Sequence, residues 1–206
     1  MKNLLVVMLC MCLQGFAQDT IKGREPILYG GFMLGGGGGF NGGGGLLYGA
    51  ELNHQFRNNL LTLRFLEQLE LNSKVARLSP FVAMPVVEKK STLRDLGVLY
   101  GKRWIFRRSS LSVSGGVSVV SYSVRLSNEE YDHAITEEHH YLGVPLEVSY
   151  IWFKAKKKRF RIAGIVPVGK PTAIGADFGY KLVANISNHS YIGVGLVIGL
   201  GIHKVY

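Results

Sequence analysis

The sequence has only two cysteines, Cys10 and Cys12, and both lie near its N-terminus. Because the rest of the chain has none, a disulfide framework and a cysteine metal site are excluded there. Beyond its first 20 residues the sequence also has no apolar run long enough for a spanning helix. A helical membrane protein is therefore excluded, and a chain of 206 residues is most simply one domain.

The first 18 residues have the layout of a secretory signal peptide. A positive charge at Lys2 precedes an apolar stretch, which is followed by small residues up to Ala17. We therefore expect residues 1–18 to be removed on export and residues 19–206 to form the mature domain. The 24 basic residues outnumber the 14 acidic ones. In an exported protein this excess favours anionic lipid head groups over nucleic acid as the counter-charge.

The C-terminal segment YIGVGLVIGLGIHKVY, which begins at Tyr191, alternates bulky apolar residues with glycine. This two-residue period is typical of a β-strand with one apolar face and one nearly bare face. The same alternation of an apolar face with a polar or glycine-lined face occurs in LLYGAELNHQF, LRDLGVLYGKRWIF, LSVSGGVSVV, YLGVPLEVSYIW and IGADFGYKLVAN. The sequence therefore predicts an all-β fold.

Alternating strands occur both in soluble sandwiches and in transmembrane barrels, so alternation alone does not distinguish these folds. Three further features favour the barrel. The segments are about ten to fourteen residues long, which matches a membrane-spanning strand. Aromatic residues that would form an interfacial girdle lie on the apolar parity near strand ends: Trp104, Phe106, Trp152 and Tyr206. Residues that would form a charge network in the lumen lie on the other parity: Glu51, Arg64, Glu70, Asp95, Arg103, Glu147, Asp177 and Lys181. We therefore predict an antiparallel up-and-down transmembrane β-barrel.

Loop lengths predict about eight strands and a direction in the membrane. The short segments RNN and RRS and the basic KAKKKR would lie at the periplasmic rim. The four outer loops would be the glycine-rich stretch, NSKVARLSPFVAMPVVEKKST, LSNEEYDHAITEEHH and SNHS. If Phe81–Val87 and Phe160–Val168 were extra strands, the count would be ten, which would put the long Leu126–His140 loop on the periplasmic side. Glu67 falls on the lipid-facing parity, where it would cost on the order of 1 to 3 kcal/mol unless a bulge or the rim rescues it.

The glycine-rich stretch GGFMLGGGGGFNGGGG, Gly30–Gly45, has the composition of a phosphate-cradling loop. No Lys-Ser or Lys-Thr pair follows it and no helix pattern begins after it, so a nucleotide site is not predicted. We expect instead a mobile outer loop with glycine-lined strand ends. Glycines on the lumen face of other strands would let the far wall of a narrow barrel approach.

The segment NEEYDHAITEEHH concentrates imidazoles and carboxylates that are able to bind a divalent cation. Its candidate ligands are His133, His139 and His140. Because no recognised ligand spacing is present, we expect a solvated loop, with no metal and no cofactor.

The NHSY segment offers His189 and Ser190 near the outer rim, with Asp177 on the preceding strand. Small barrels that hydrolyse or transfer lipid acyl chains use serine and histidine in such a place. Adjacent residues of a strand point to opposite faces, however, so these side chains would meet only in an irregular loop. We therefore predict no catalytic residues.

Several motifs resemble the small outer-membrane β-barrel proteins of Bacteroidetes, including the family related to the PorT secretion protein. They are FAQ at the end of the signal segment, a glycine-rich first hairpin, LYGKRW, YLGVPLEVSY and the alternating C-terminal strand. The resemblance covers most of the mature chain and implies a barrel fold and an outer-membrane location. The final aromatic residue, Tyr206, also resembles the C-terminal signal that the outer-membrane assembly machinery recognises.

A barrel of about eight strands has an interior that side chains fill. We therefore predict a structural, loop-mediated binding or secretion-accessory role, without enzymatic activity, rather than a general porin. The expected partners are outer-membrane lipid, including lipopolysaccharide, the assembly machinery, and a periplasmic or extracellular protein. Two alternatives stay open: a lipid-modifying enzyme of the acyl hydrolase or transferase type, and a narrow solute channel.

Overall fold

The computed structural model describes residues 27–40, 44–79, 82–126, 135–154, 158–162, 165–172 and 174–203. These ranges form ten strands: β1 Ile27–Gly39, β2 Gly44–Phe56, β3 Asn59–Ser79, β4 Val82–Ile105, β5 Ser109–Leu126, β6 Ile135–Phe153, β7 Lys158–Ile162, β8 Val166–Thr172, β9 Ile174–Ile186 and β10 Tyr191–Ile202. All except β7 and β8 close into one antiparallel barrel in the order β1-β10-β9-β6-β5-β4-β3-β2. The predicted eight-stranded up-and-down barrel is therefore confirmed. Within the described ranges, no helix has the length and apolar character needed to cross a membrane.

The two segments considered as extra barrel strands do not enter the barrel count. Phe160–Val168 contributes to β7 and β8, which pair only with each other as a separate hairpin. Val82–Val87 is the first part of β4, a single strand of 24 residues paired with β3. The ten-stranded alternative is therefore wrong. The signal segment 1–18 and the girdle residue Tyr206 lie outside the described residues.

Part of the predicted outer loops is strand. Gly30–Gly39 belongs to β1 and pairs with β2 on one side and β10 on the other. The mobile-loop prediction is wrong for this stretch, because backbone hydrogen bonds on both sides fix it although it has few side chains. Beyond a register shift between Glu70 and Leu71, β3 and β4 also stay paired, as a two-stranded ribbon that extends past β2 and β5.

The two rims differ in their connections. At the terminal rim, where β1 begins and β10 ends, the β2–β3 turn contains Arg57 in a left-handed conformation, with a φ of 57°. The same rim has the connection from β6 to β9, which includes the basic KAKKKR segment and the β7–β8 hairpin. At the opposite, distal rim, β9 and β10 are joined by the short turn Ser187–Ser190. Loop length therefore does not separate the rims in the simple way that the sequence predicted.

The strands of the barrel are staggered. A path of cross-strand partners leaves β6 at Leu142, runs through β5, β4, β3, β2, β1, β10 and β9, and returns to β6 at Trp152. The return is ten residues further along the strand (142 to 152), and such a stagger tilts the strands against the barrel axis. With eight strands, the interior is just wide enough for side chains to fill it.

The two faces of the strands have opposite environments. Every barrel strand has outward residues that are apolar and exposed; they include Leu34, Leu52, Leu63, Leu96, Val117, Val148, Leu182 and Leu196. Inward residues are buried in layers. Near the distal rim lies an apolar cluster of Met33, Leu47, Leu66, Leu93, Val120, Val183, Tyr191 and Val197, and near the terminal rim a smaller one of Ile27, Tyr29, Leu60 and Ile151.

The glycines of the lumen face make two kinds of close approach. At Gly35 and Gly49, an added Cβ would lie 2.1 Å from a backbone oxygen of the adjacent strand. At Gly193, the same atom would lie 2.5 Å from Cδ2 of Leu47 on β2, which is not a neighbour of β10. The expected approach across the lumen therefore occurs at Gly193, whereas Gly35 and Gly49 give room to neighbouring backbone.

Candidate functional site

A connected set of buried charges crosses the lumen between the two apolar clusters. Lys181 on β9 places Nζ 2.7 Å from Oε1 of Glu147 on β6, and it also contacts Oε2 of Glu51 on β2. Strands β2 and β9 are not neighbours in the barrel, so Lys181 ties two separate parts of the wall together. Its side chain has a relative exposure of only 2%.

Arg64 on β3 forms the second half of this set. Its Nη2 lies 2.9 Å from Oδ2 of Asp95, and its Nη1 lies 3.2 Å from Oε2 of Glu147. Glu147 therefore accepts from both cations, one on each carboxylate oxygen. We call the five residues Glu51, Arg64, Asp95, Glu147 and Lys181 the lumen network.

Two uncharged residues complete the lumen network around Asp95. The hydroxyl of Tyr191 donates to Oδ2 of Asp95 at 2.6 Å, and Nδ2 of Asn185 donates to the same oxygen at 2.8 Å. Neither residue was singled out from the sequence. Both lie at the alternating strand positions whose side chains face the lumen. This alternation was the sequence signal that could have identified them. Charged groups taken out of water need such additional hydrogen bonds, because ion pairing alone rarely offsets their desolvation.

Three of the eight charges predicted for the lumen lie apart from this network. Arg103 donates to Oε1 of Gln55 at 3.2 Å and to Oγ of Ser110 at 2.9 Å, and its guanidinium lies 4.3 Å from the centre of the Tyr29 ring. Both of these hydrogen-bond acceptors are uncharged. A cation buried on an aromatic ring is stabilised by the negative face of that ring.

The other two separated charges are acidic. Oδ2 of Asp177 lies 3.0 Å from Nδ1 of His203, close to the terminal rim. Glu70 accepts a hydrogen bond from Ser91, next to the register shift near the distal rim. The structure therefore joins five of the eight predicted charges, and it places Arg103 and Asp177 toward the terminal rim and Glu70 toward the distal rim.

The described girdle residues Trp104, Phe106 and Trp152 lie on the outer surface near the terminal rim, and all three are exposed. Trp152 packs edge-on against Tyr150 and Tyr180, with ring centres 4.7 and 5.7 Å apart. These two tyrosines extend the aromatic surface across β6 and β9.

Two of the candidate metal ligands are described, and they do not converge. Nδ1 of His140 is hydrogen-bonded to Oγ of Ser121 at 2.8 Å, and Nε2 of His139 lies 3.8 Å from Oε2 of Glu137. Among the residues with described positions, no group of three or more His, Cys, Asp or Glu side chains is placed to hold a metal ion. His133 lies outside the described residues.

The serine and histidine of the NHSY segment are engaged elsewhere. The His189 ring stacks on Tyr122 with centres 3.9 Å apart and lies 5.2 Å from Tyr141. Oγ of Ser190 donates to the carbonyl oxygen of Ser187 at 2.7 Å, within the β9–β10 turn. Because Asp177 lies near the opposite rim, these residues do not form a hydrolytic triad.

A line of polar side chains crosses the outer surface from β2 to β6. Its members are successive cross-strand partners: Tyr48, Glu67, Arg94, Ser121 and His140. We call this line the outer polar row. Oε2 of Glu67 lies 3.4 Å from Nε of Arg94, and Tyr48 is the cross-strand partner of Glu67 on its other side. Glu67 on the lipid-facing parity is therefore paired with Arg94, and the register shift between Glu70 and Leu71 lies three residues further along β3.

Comparison with known proteins gives similarity of fold. No protein-family model matches the chain, and no curated protein has a matching sequence. The structure is similar to the crystal structure of Neisserial surface protein A (NspA), with a TM-score of 0.50 and 9% identity, over 86% of this chain and 96% of NspA. It is also similar to the N-terminal β-barrel domain of Pseudomonas aeruginosa OprF, with a TM-score of 0.45 and 12% identity, over 87% of this chain and 99% of that domain. At 9% identity, the likeness to NspA is one of fold: the closed, eight-stranded antiparallel barrel.

Proposed function

We propose that the protein is an integral outer-membrane β-barrel with a closed lumen, which acts through its surface and its connections. The terminal rim then faces the periplasm and the distal rim faces outward. Two features support this placement. Exposed apolar side chains cover the outside of all eight barrel strands, far more than a soluble monomer shows. Aromatic residues collect at one end of this apolar band, as in the girdles of membrane barrels.

The observation that carries the functional proposal is the filled lumen. The lumen network spans the barrel between walls that are not neighbours. Above it, toward the distal rim, the apolar cluster has members with 0–7% relative exposure. A path for solutes would have to break several buried ion pairs and open this cluster. A general porin is therefore disfavoured, and the same reasoning disfavours a narrow channel.

The remaining role is structural, loop-mediated or accessory to secretion. The paired ribbon of β3 and β4 at the distal rim and the β7–β8 hairpin at the terminal rim both extend beyond the barrel wall. The hairpin carries exposed apolar residues at its tip, Ile162, Ile165 and Val166, and in the sequence the basic KAKKKR segment leads into its first strand. These two extensions are the surfaces that we assign to partner binding, the hairpin toward the periplasm and the ribbon toward the exterior.

The motif resemblance supports a place among the small outer-membrane barrels of Bacteroidetes, including the PorT-related family. Export through a signal peptide at residues 1–18, recognition by the assembly machinery and contact with lipopolysaccharide follow from that placement. An enzymatic role has no support from the NHSY residues, because Ser190 and His189 are occupied by separate contacts.

Two measurements test the proposal. After expression in a Gram-negative host, the chain should fractionate with the outer membrane and should migrate faster in SDS gels without boiling than after boiling. In planar bilayers, the purified barrel should give no discrete conductance steps. A chain recovered in buffer without detergent would contradict the membrane placement. Regular conductance steps at neutral pH would contradict the closed lumen, while leaving the membrane placement intact.

A further inference from the structure

The outer polar row contains donor groups that are not used within the barrel. The pair with Glu67 engages Nε of Arg94 and leaves Nη1 and Nη2 for another acceptor. The Arg94 side chain has a relative exposure of 58%, whereas that of Glu67 has 12%. The Glu67 carboxylate therefore holds the Nε side of the Arg94 guanidinium, while the edge with Nη1 and Nη2 stays accessible. On the next strand, Ser121 is the cross-strand partner of Arg94, and one strand further His140 is the partner of Ser121 and is hydrogen-bonded to it.

An apolar row runs directly below these three polar residues. On each strand, the outward residue two positions nearer to the terminal rim is aliphatic: Leu96 on β4, Val119 on β5 and Leu142 on β6. These residues are cross-strand partners of one another, and Leu142 has a relative exposure of 84%. The apolar band thus ends on these strands in a polar edge of one arginine, one serine and one histidine.

We infer that this patch, formed by Arg94, Ser121 and His140 with Leu96, Val119 and Leu142, binds a phosphorylated glycolipid of the lipid A class in the outer leaflet. The inference rests on the proposed membrane placement, which puts the distal rim outside. An acyl chain would lie on the aliphatic row, and a head-group phosphate would accept hydrogen bonds from the polar edge. A guanidinium presents two parallel N–H groups that match phosphate oxygens, and the hydrogen-bonded Ser121–His140 pair adds one further donor, either the O–H or Nε2–H.

The same geometry argues against a hydrolytic role for the Ser121–His140 pair. A serine hydrolase needs backbone N–H groups that point at the developing oxyanion. Here β5 is paired with β4 on one side and β6 on the other, so its N–H groups around Ser121 serve the sheet. Binding of an anionic head group needs only the side-chain donors, which are present.

The test uses the full-length mature chain, folded in detergent micelles, with three lipid probes. These are bisphosphorylated lipid A, the same lipid after enzymatic removal of both phosphates, and phosphatidylglycerol. Dissociation constants are measured by native mass spectrometry. We expect lipid A to bind about tenfold more tightly than its dephosphorylated form, because charge-assisted hydrogen bonds to phosphate are lost. Phosphatidylglycerol should bind more weakly than lipid A.

Matched variants locate the site. Arg94→Gln should weaken lipid A binding about tenfold. Arg94→Lys should bind lipid A with an affinity between those of Arg94→Gln and the wild type, because lysine keeps the positive charge but lacks the two parallel N–H groups. Ser121→Ala and His140→Gln should each weaken it by about two- to fivefold. Lys102→Gln is the control, because Lys102 lies on the same outward face of β4 at the opposite end of the apolar band. It should leave lipid A binding unchanged.

The gel-mobility shift on boiling is recorded for every protein, so that the two proposals fail separately. A wild-type chain without this shift would contradict the membrane placement itself. If the shift is normal, three results would overturn the glycolipid site: equal binding of lipid A with and without phosphate, equal effects of Arg94→Gln and Lys102→Gln, or tighter binding of phosphatidylglycerol than of lipid A.

Discussion

Replacing Glu147 by glutamine tests whether the lumen network holds the barrel together. Glu147 is the one residue of the network that bonds to both cations, at 2.7 Å from Nζ of Lys181 and 3.2 Å from Nη1 of Arg64. Glutamine keeps the volume and one acceptor but removes the charge, so that both cations lose a buried counter-charge. Breaking one buried ion pair costs roughly 3–5 kcal/mol. Because Lys181 keeps Glu51 and Arg64 keeps Asp95, we expect the lower end, about 3 kcal/mol.

The assay is reversible unfolding by urea in phospholipid vesicles, followed by tryptophan fluorescence. Glu138→Gln is the control, since Glu138 lies on the same strand but is exposed, and it should change stability by less than about 0.5 kcal/mol. Lys181→Met should cost about as much as Glu147→Gln, and the double variant should cost clearly less than the two single losses together. A Glu147→Gln barrel as stable as the control, or strictly additive losses, would refute the assignment of a stabilising network.

Three further outcomes are expected. Tyr191→Phe removes a donor to a buried carboxylate and should lower the free energy of unfolding by about 1.5–3 kcal/mol in the same urea assay; an unchanged midpoint would contradict that hydrogen bond. Leu196→Arg, in the apolar band, should cost about 2–4 kcal/mol and lower the folded fraction in vesicles, whereas Ile186→Arg, at the distal end of β9, should cost at most about 1 kcal/mol; equal effects would argue against a membrane-facing band. Gly35→Ala would place a Cβ 2.1 Å from a backbone oxygen of β10 and should abolish the heat-dependent gel shift, while Gly175→Ala, with no atom within 4 Å, should keep it; a normal shift for both would show that the seam tolerates side chains.

The faces of the strands could be predicted from the sequence because the two-residue period survives in almost every barrel strand. Leu182 and Lys181 illustrate this, since one is exposed on the outer surface and its neighbour is buried in the lumen. β1 could not be predicted in the same way. A glycine run has no side chains to show a period, and its strand conformation comes from pairing with β2 and β10, which lie far apart in sequence.

The partners within the lumen could not be predicted from parity. Parity places a residue on the inner face, whereas the stagger of the strands decides which inner residues meet. Arg64 is the direct cross-strand partner of Gly97, yet its guanidinium reaches Asp95, two positions along β4. Arg103 has the same parity as the network but lies nearer to the terminal rim, where its neighbours are Gln55, Ser110 and Tyr29.

The barrel closes where its first and last strands, β1 and β10, pair with each other. On the inner side of this junction, three partner pairs are glycine facing glycine: Gly31 with Gly199, Gly35 with Gly195 and Gly37 with Gly193. Cohesion there comes mainly from main-chain hydrogen bonds, because a glycine pair adds no side-chain packing. Parting the wall along this line would also separate Lys181 from Glu51, because this ion pair spans the junction from β9 to β2. The joining of the two ends of the sheet and the completion of its charged interior therefore belong to the same step.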